Sequence, residues 1–320
     1  MARLLKEADV KRLLTMADAI AAVEAAFRAV AQARACNVPR QRGTLGGATI
    51  NTLAALSQAT DTIGVKCYPV VRHDITVGSS FTMLVYKAST GALLGILEAD
   101  TVGQIRTGAA SGVATKYLAR PDSSRVCLFG AGWQARSQLA ALACVREHIE
   151  RVMVVGRSAD RLQRFCEEMK YLPFEVAPSF DPKAAVSEAD IVVTATGARA
   201  PVFDGRWLRP GTHINAIGSN YPDKREIDGT AVQRASAIVV DDLSVARMES
   251  GDLLAPDAKV DWPGVFALGD VVAGKVAGRS SPDQITLFES QGLGIEDLAV
   301  ATRVLELAEQ EGPGLQVPLV

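Results

Sequence analysis

The spacing of apolar and polar positions predicts different structures in the first and the later part of the chain. Behind Thr15, a typical helix N-cap, apolar residues recur at helical spacing and predict a helix over residues 15–34. Apolar runs predict four strands, at residues 49–56, 64–71, 80–86 and 92–98. The last two strands form a hairpin, because residues 89–91 supply turn chemistry between them. A further helical pattern covers residues 100–118.

A polar turn cluster at residues 120–124 marks a domain boundary, and beyond it short apolar strands alternate with helices, as a parallel sheet requires. The predicted strands lie at residues 126–130, 151–156, 189–195, 213–218 and 237–242, with helices at 134–144 and 158–169. The run that begins at Leu287 leads into a last helix, which ends near Gln310. The predicted fold class is α/β, with a doubly wound parallel sheet and a separate α+β domain before it.

The turn after the first strand of this series has the sequence Gly130-x-Gly132-x-x-Ala135, the dinucleotide-binding fingerprint with alanine at its third position. Gly130 permits a tight turn, and Gly132 lets the backbone approach a pyrophosphate. Ala135 allows the following helix, whose first turn also carries Gln134, to pack closely on the strand. The free N–H groups at the helix N-terminus then hold the phosphates. We therefore expect a Rossmann-type domain with a dinucleotide as cofactor.

The tip of the second strand indicates which nicotinamide cofactor binds. NAD-specific enzymes usually place a carboxylate there for the ribose 2′-hydroxyl, whereas this chain has Arg157 and Ser158. Arg157 can pair with a 2′-phosphate through its planar fork, and the Ser158 hydroxyl can donate to the same group. The prediction favours NADP(H), with NAD(H) as the alternative. In the competing interpretation, Arg157 is a solvated surface residue and Ser158 only caps the next helix.

Composition narrows the range of partners and locations. The 320 residues carry a formal net charge of −2, with 48% hydrophobic and 22% charged residues, which predicts neither nucleic acid nor a membrane as partner. No apolar run approaches the roughly 18 residues of a membrane span, and the first residues lack the apolar centre of a signal peptide. We therefore expect a cytoplasmic protein. Its histidines, His73, His148 and His213, show no ligand spacing, so no metal site is predicted.

Three positions carry a basic residue where the surroundings are apolar. Arg106 lies on a largely apolar helix, where a permanent charge is costly unless an anion neutralises it. Lys66 interrupts the apolar run at residues 63–68, and Arg42, with its neighbour Arg40, follows a proline. Any one of them taken alone is equally well interpreted as a snorkelling or salt-bridged side chain.

Seven stretches of the chain, in the same order, resemble the ornithine cyclodeaminase/mu-crystallin family of NAD(P)-dependent enzymes. These stretches are residues 39–42, 64–68, 105–111, 130–135, 189–196, 218–228 and 287–297. The resemblance implies an NAD(P)-binding Rossmann domain at residues 120–299. It also implies a substrate-binding and dimerisation domain, made of residues 1–119 together with residues 300–320, and hence a homodimer.

The resemblance further implies roles for individual residues. Positions that contact the cofactor are matched by Thr194, Thr196, Gly218, Lys224 and Ser290. Positions that contact the substrate, in part through its α-carboxylate, are matched by Arg106, Arg42 or Arg40, Asn51 and Thr82. Lys66 interacts with the carboxylate or the imine nitrogen. Because neighbouring guanidinium groups disfavour its ammonium form, we expect a depressed pKa for Lys66 and proton exchange near neutral pH.

The predicted reaction depends on two positions at which this chain differs from the cyclodeaminases of the family. Those enzymes carry two acids that handle the amino groups of a diamino acid, and this chain has Asn220 and Asn51 at the matching positions. An amide cannot accept a proton or neutralise an ammonium. With Lys66 and Asn220 as catalytic residues, the resemblance implies an NAD(P)H-dependent reductase of small cyclic imino acids, such as pyrroline- or piperideine-2-carboxylate, or the reverse amino-acid dehydrogenase. The alternatives are an ornithine cyclodeaminase that forms proline, with Asp223 supplying the acid, and a mu-crystallin-like NADPH-dependent binding protein.

Overall fold

A computed structural model describes residues 1–71 and 80–318, and the chain divides into two compact units. The first unit is Met1–Arg106 with Leu293–Val320, and the second is Thr107–Gly292. The predicted boundaries were 119/120 and 299/300, whereas the units divide at 106/107 and 292/293. The predicted boundary follows the change in composition at the polar turn after residue 118. The contacts instead divide the helix over residues 100–118, so that its first residues belong to the first unit and the rest to the second.

The first unit is built on a seven-stranded sheet in the order β15-β1-β6-β5-β4-β3-β2. Its strands are β1 (Ala2–Leu5), β2 (Ala35–Leu45), β3 (Ala48–Ser57), β4 (Thr62–Val71), β5 (Thr82–Lys87), β6 (Leu93–Glu98) and β15 (Leu315–Val317). Its helices are α1 (Glu7–Leu13), α2 (Met16–Ala31), the start of α3 (Asp100–Leu118) and α11 (Gly294–Glu311). α11 packs on α2 and on strands β3 and β4. Neighbouring strands are antiparallel except β1 and β6, which run parallel.

Most of these elements agree with the predicted ones. The Thr15 side chain caps α2 by accepting a hydrogen bond from the backbone N–H of Asp18, as expected. Strand β2 was missed, because its sequence is polar and contains Pro39. The proline is tolerated since β2 is an edge strand whose register shifts between Val38 and Gln41.

The two faces of this sheet differ in their surroundings. Leu53 and Met83, the cross-strand neighbours of Lys66, are buried on the side where α11 packs. On the other face, an unbroken apolar row crosses all seven strands, from Val38 through Ala54, Val65, Leu84, Ile96 and Leu4 to Leu315. Every residue of this apolar row is at least partly exposed in the single chain.

The second unit contains an eight-stranded sheet in the order β13-β12-β14-β11-β10-β7-β8-β9, with all neighbours parallel. The strands are β7 (Arg125–Phe129), β8 (Arg151–Val155), β9 (Glu175–Ser179), β10 (Ile191–Thr194), β11 (His213–Ala216), β12 (Ala237–Val240), β13 (Val265–Ala267) and β14 (Thr286–Glu289). The helices are the rest of α3, α4 (Trp133–Val145), α5 (Ala159–Glu168), α6 (Pro182–Glu188), α7 (Gly229–Arg234), α8 (Leu243–Glu249), α9 (Gly251–Leu254) and α10 (Leu268–Val272).

The strand order makes this sheet doubly wound, as predicted. From β7 the chain proceeds to β8 and β9 at one edge, then returns to β10 on the other side of β7. The switch point between β7 and β10 is where such sheets bind their ligands, at the carboxyl ends of the strands. The run at Leu287 was expected to enter the last helix, but it forms strand β14, because a four-residue buried strand has no recognisable period. No helix within the described ranges is long and apolar enough to cross a membrane.

Candidate active site

Lys66 lies on β4 with its ammonium group inside the protein, next to the first turn of α11. Its Nζ is 2.6 Å from Oδ1 of Asp297, and the residue is only 2% exposed. Burial lowers the pKa of Lys66 to about 8, while Asp297 opposes this shift and Arg106 adds to it. The pKa is therefore depressed as predicted, but burial rather than the neighbouring guanidinium is the main cause. Lys66 holds its proton at neutral pH and can release it near pH 8.

Arg106, on α3, shares the same carboxylate. Its Nε donates to Oδ1 of Asp297 at 3.1 Å, and its Nη1 donates to Oε2 of Glu296 at 2.8 Å. Burial alone disfavours this charge, but the two carboxylates outweigh burial and raise the pKa of Arg106. The anions that a buried arginine requires are thus supplied by the protein. These two bonds use Nε and Nη1 and do not involve Nη2.

Glu296 and Asp297 are functional candidates that the sequence analysis did not single out. Both are fully buried in the first turn of α11, where the helix dipole stabilises negative charge. A signal was present, because an acidic pair opens the helix and two buried cations need anions. The pair ends the last of the seven resembling stretches, residues 287–297, but roles were assigned to Asn51 and Asn220 and not to this pair.

Asn51, on β3, brings a buried amide to the Lys66 side of the sheet. It pairs in register with Arg42 on β2 and Tyr68 on β4, and Tyr68 is two residues from Lys66. Asn51 is 1% exposed, and neither its Oδ1 nor its Nδ2 has a partner in the described part of the chain. An unsatisfied buried polar group costs about 1–3 kcal/mol, so this amide is suited to binding a ligand or a water molecule. After burial, Arg40 is among the charges that lower the pKa of Lys66, which places it near the same group.

Thr82 is the predicted substrate contact that the fold does not bring to this group. It lies on β5, is exposed, and pairs with Cys67, the residue after Lys66. Because successive residues of a strand point to opposite faces, Thr82 and Lys66 lie on opposite faces of the sheet. Met83 occupies the position across from Lys66 instead.

In the second unit, the glycine fingerprint forms the expected turn at the switch point. Gly130 has a φ of +104°, and a Cβ there would lie 2.5 Å from the carbonyl oxygen of Ala195, so a larger residue does not fit. Gly132 is the N-cap of α4 and has open space beside its Cα, which lets a phosphate reach the free N–H groups of the first helical turn. Ala135 is fully buried in the core that contains β7. The turn therefore fits a dinucleotide pyrophosphate.

Arg157 and Ser158 follow β8 with no acid at the tip of the strand, as predicted. The Ser158 hydroxyl accepts a hydrogen bond from the N–H of Arg161 at 3.5 Å and caps α5, which is the competing interpretation of this residue. Arg157 is exposed. Gln134, in the first turn of α4, accepts a hydrogen bond from a serine hydroxyl one turn further along the helix at 3.2 Å.

One buried carboxylate, that of Glu226, joins the ends of β10 and β11. Its Oε1 accepts hydrogen bonds from N and Oγ1 of Thr196, both at 2.6 Å. Its Oε2 accepts from Oγ1 of Thr194 at 2.8 Å and from N of Gly218 at 2.7 Å. A side chain on Gly218 would collide with the carbonyl of Thr196 and with Glu226 itself. Three residues predicted to bind the cofactor are thus connected through a glutamate that the sequence analysis did not single out.

The loop after β11 holds two further predicted residues and the acid considered as a substitute. The Nζ of Lys224 donates to Oδ1 of Asn220 at 3.5 Å. Asp223 is exposed and forms an ion pair with Arg199, and their hydrogen bond lowers the pKa of Asp223. The structure therefore gives Asp223 a surface partner of its own.

Two other polar residues of this unit have protein partners. Ser290 donates to Oδ2 of Asp241 at 3.1 Å. His213 lies between hydroxyl and amide partners, and burial lowers its pKa to about 3, so it stays neutral. His73 lies outside the described residues. Within the ranges that the structure describes, no group of three or more His, Cys, Asp or Glu residues is placed to hold a metal ion.

A doubly wound sheet with a phosphate-binding turn, and a buried lysine poised for proton exchange, are the features of a dinucleotide-dependent enzyme. The chain belongs to the ornithine cyclodeaminase/mu-crystallin family, whose model matches residues 2–312. Its relatives include reductases and dehydrogenases, and also proteins named as cyclodeaminases. The predicted family and the Rossmann-type fold class are both confirmed.

Three relatives illustrate this membership. The Δ1-pyrroline-2-carboxylate reductase of Bacillus cereus is 34% identical over 276 residues, which cover 83% of each chain. The structure of Thermococcus litoralis Δ1-pyrroline-2-carboxylate reductase in complex with NADH and L-proline has a TM-score of 0.92 at 35% identity, and covers 98% of this chain and 100% of that one. An archaeal alanine dehydrogenase dimer with bound NAD has a TM-score of 0.93 at 31% identity, and covers 100% and 99%.

Proposed function

We propose that the protein reduces the C=N bond of a small cyclic imino acid with a nicotinamide dinucleotide, or runs the reverse oxidation of the amino acid. The observation that carries the proposal is Lys66, a buried amine with a pKa of about 8 that shares a carboxylate with Arg106. Such an amine transfers protons at physiological pH, which imine reduction requires. Relatives that reduce pyrroline-2-carboxylate, one of them with L-proline bound, support this substrate class.

In this mechanism Lys66 is the general acid. Its Nζ gives a proton to the imine nitrogen during reduction, and in the reverse direction the neutral amine takes that proton back. Asp297 accepts from Nζ at 2.6 Å, and the same carboxylate oxygen accepts from Nε of Arg106 at 3.1 Å. When bound, the dinucleotide supplies or accepts the hydride.

The same cluster offers donors for the substrate carboxylate. Nη2 of Arg106 remains after its two internal bonds, and Arg42 lies on the same face of the sheet as Lys66. A guanidinium binds a carboxylate strongly through charge-assisted hydrogen bonds. The Asn51 amide, with neither atom bonded among the described residues, can then contact an uncharged part of the ring.

The direct test is oxidation of NADPH or NADH, followed by absorbance, with pyrroline-2-carboxylate and piperideine-2-carboxylate. We expect turnover by the wild type and a loss of about 100-fold or more in kcat for Lys66→Met, which keeps the length of the side chain but removes the proton donor. Lys170→Met, at an exposed lysine that is ion-paired with Glu167, is the matched control and should keep full activity. Undiminished turnover by Lys66→Met would contradict the assigned role.

Ornithine cyclodeaminase activity is the second candidate, and it requires an acid for the substrate's second amino group. Asn220 carries an amide that accepts from Lys224, and Asp223 is engaged at the surface by Arg199. Asp297 is buried beside Lys66 but already accepts from two cations. Incubation with ornithine and catalytic NAD should therefore give neither ammonia nor proline, and their formation would favour this candidate. Cofactor binding without any turnover would favour a mu-crystallin-like binding protein.

For the cofactor we propose a preference for NADP(H), supported by the missing acid and the exposed Arg157 at the tip of β8. Replacing Arg157 with alanine should lower kcat/KM for NADPH about tenfold and leave that for NADH unchanged. Arg164→Ala, at an exposed arginine further along α5, is the control. A wild type that prefers NADH would contradict the proposal, and NAD or NADH is bound in the two solved relatives.

We also propose a homodimer that covers the apolar row of the first unit. Seven strands present apolar, partly exposed residues side by side, and a continuous apolar surface of this kind marks an association site. An archaeal alanine dehydrogenase relative is a dimer. Light scattering after gel filtration should give twice the chain mass for the wild type and the mass of a single chain for Leu84→Glu. A monomeric wild type would contradict the proposal.

A further inference from the structure

We propose that Glu226 is a positioning residue for the nicotinamide half of the cofactor, because its carboxylate holds the ends of β10 and β11 together and orients two threonine hydroxyls. Of the proposed function, this inference uses only the binding of a nicotinamide dinucleotide. It adds a residue that does not touch the reacting atoms but determines how the groups around them are presented.

The hydrogen bonds to Glu226 are arranged as a matched set. Each carboxylate oxygen accepts from one backbone N–H and one threonine hydroxyl: Thr196 supplies both donors to Oε1, and Gly218 and Thr194 supply those to Oε2. The residue is fully buried, so these four donors replace its hydration. An ionised carboxylate only accepts, and therefore both hydroxyls must donate to it.

This direction of donation fixes what the hydroxyls can offer to a ligand. Thr194 is fully buried, so Thr196, which is partly exposed, is the threonine that can meet a ligand. The hydroxyl hydrogen of Thr196 points to Glu226, and its oxygen accepts from N of Ala198 at 3.1 Å, so one oxygen lone pair remains for a bound molecule. The carboxamide of nicotinamide carries an N–H₂ donor that matches such an acceptor. Nicotinic acid has a carboxylate at the same place, which is repelled by lone pairs. Glu226 would thus favour the amide over the acid.

The Glu226 backbone is also held in place. Oδ1 of Asp252 accepts from N of Glu226 and from N of Ile227, both at 2.8 Å. Burial raises the pKa of Glu226, and its own four hydrogen bonds oppose that rise. Asp252 therefore fixes the backbone of Glu226, and the four donors fix its carboxylate.

Asp190 provides a matched control at the opposite end of the same strand. It directly precedes β10, is 2% exposed, and accepts from N of Ser124 and N of Arg125 at 2.9 and 3.0 Å. Asp190→Asn therefore removes a buried, backbone-bound carboxylate at the amino end of β10, one that also pairs with Arg120 and Arg209. Ligands of a doubly wound sheet bind at the carboxyl ends, so the Asp190 position lies away from them.

The experiment measures the binding of four ligands to the wild type, Glu226→Gln and Asp190→Asn by calorimetric titration. The ligands are NAD, NADP, ADP-ribose, which lacks nicotinamide, and nicotinic acid adenine dinucleotide. We expect Glu226→Gln to weaken NAD or NADP binding about tenfold while ADP-ribose stays within about twofold. Its preference for the amide over the acid dinucleotide should fall by about the same factor. Asp190→Asn should lower the thermal stability but leave these ratios unchanged.

The inference is overturned if Glu226→Gln weakens NAD and ADP-ribose equally, or if it keeps the preference for the amide. Should Glu226→Gln fail to fold, Thr196→Val, which replaces the hydroxyl by a methyl group of the same size, should reduce the amide preference, whereas Thr196→Ser should keep it. No substrate is present in these titrations. A wild type that binds NAD but reduces no imino acid would therefore contradict the proposed reaction alone.

Discussion

The replacement of Asp297 by asparagine separates the charge of this residue from its shape. Asp297 holds the Lys66 ammonium at 2.6 Å and raises its pKa against the effect of burial. Asparagine keeps an oxygen that accepts the same hydrogen bond but removes the negative charge. The pKa of Lys66 must then fall further below its wild-type value of about 8.

The size of this fall follows from Coulomb's law, with the carboxylate charge shared between two oxygens and therefore centred farther from Nζ than the 2.6 Å between Nζ and Oδ1. Two unit charges about 4 Å apart interact by about 4 kcal/mol at an effective dielectric constant of about 20, which equals about 3 pKa units. Since the asparagine oxygen retains part of the interaction, we expect a fall of about 2 units, to a pKa near 6. At pH 7.5 the protonated fraction of Lys66 then drops about 25-fold, and the rate of imine reduction should drop with it.

The assay is the pH dependence of kcat/KM for imine reduction, measured from pH 5 to pH 10 for the wild type and Asp297→Asn. The alkaline limb should lie near pH 8 in the wild type and near pH 6 in the variant. Glu296→Gln is the control, because Glu296 is equally buried in the same helical turn but bonds Arg106 rather than Lys66. An Asp297→Asn limb that stays at pH 8 would refute the assignment of that limb to Lys66.

Three other predictions test the remaining parts of the structure. Burial raises the pKa of Asp252 to about 7 in the folded protein, whereas the unfolded chain loses this proton near pH 4, so its contribution to stability falls as pH rises between these values. The free energy of unfolding of Asp252→Asn minus that of the wild type, measured with urea, should therefore be about 3 kcal/mol larger at pH 8 than at pH 5. Equal differences at the two pH values would contradict the pKa shift. Gly132→Ala should be as stable as the wild type but bind NAD at least about tenfold more weakly. Gly130→Ala should weaken NAD binding and also lose stability, because Gly130 has a positive φ and no room for a Cβ. Intact NAD binding by Gly132→Ala would exclude a phosphate-binding role for Gly132. Arg106→Met should cost about 3–5 kcal/mol, because it removes a cation that bonds two buried carboxylates, of which Asp297 still keeps Lys66. Adding Glu296→Gln should recover part of this loss in the same unfolding assay.

The sequence predicted those features that depend on local pattern. The turn at Gly130 could be recognised because a glycine with positive φ, a preceding strand and a following helix leave a contiguous signature. The alternation of later strands and helices was equally local. Strand β2 escaped prediction because an edge strand with a bulge is free to be polar, and its pairing with β3 is decided by the sheet rather than by its own residues.

In the candidate site, too, the sequence predicted the residues with a local signal and not those that depend on distant segments. Lys66 and Arg106 were conspicuous because each is a cation among apolar neighbours. Their partners were not, since Glu296 and Asp297 lie 190 and 191 residues after Arg106, and nothing in the spacing links them. Glu226 was hidden for the same reason, because a carboxylate that binds backbone N–H groups of other segments leaves no pattern in its own segment. Charged and hydrogen-bonding partners that lie far apart in the sequence could therefore be identified only from the structure.

The wide separation of Lys66 from its carboxylate has a consequence for biosynthesis. The two residues are 231 positions apart, and the whole second unit is translated between them. On the ribosome, β4 and α3 emerge long before α11, so the two cations exist for a time without their anions. Because domains generally fold as they emerge, the nucleotide-binding sheet can form while the sheet around Lys66 still lacks its covering helix. The protein therefore gains a complete acid–base group only when its last helix has left the ribosome, and a truncated chain would lack it.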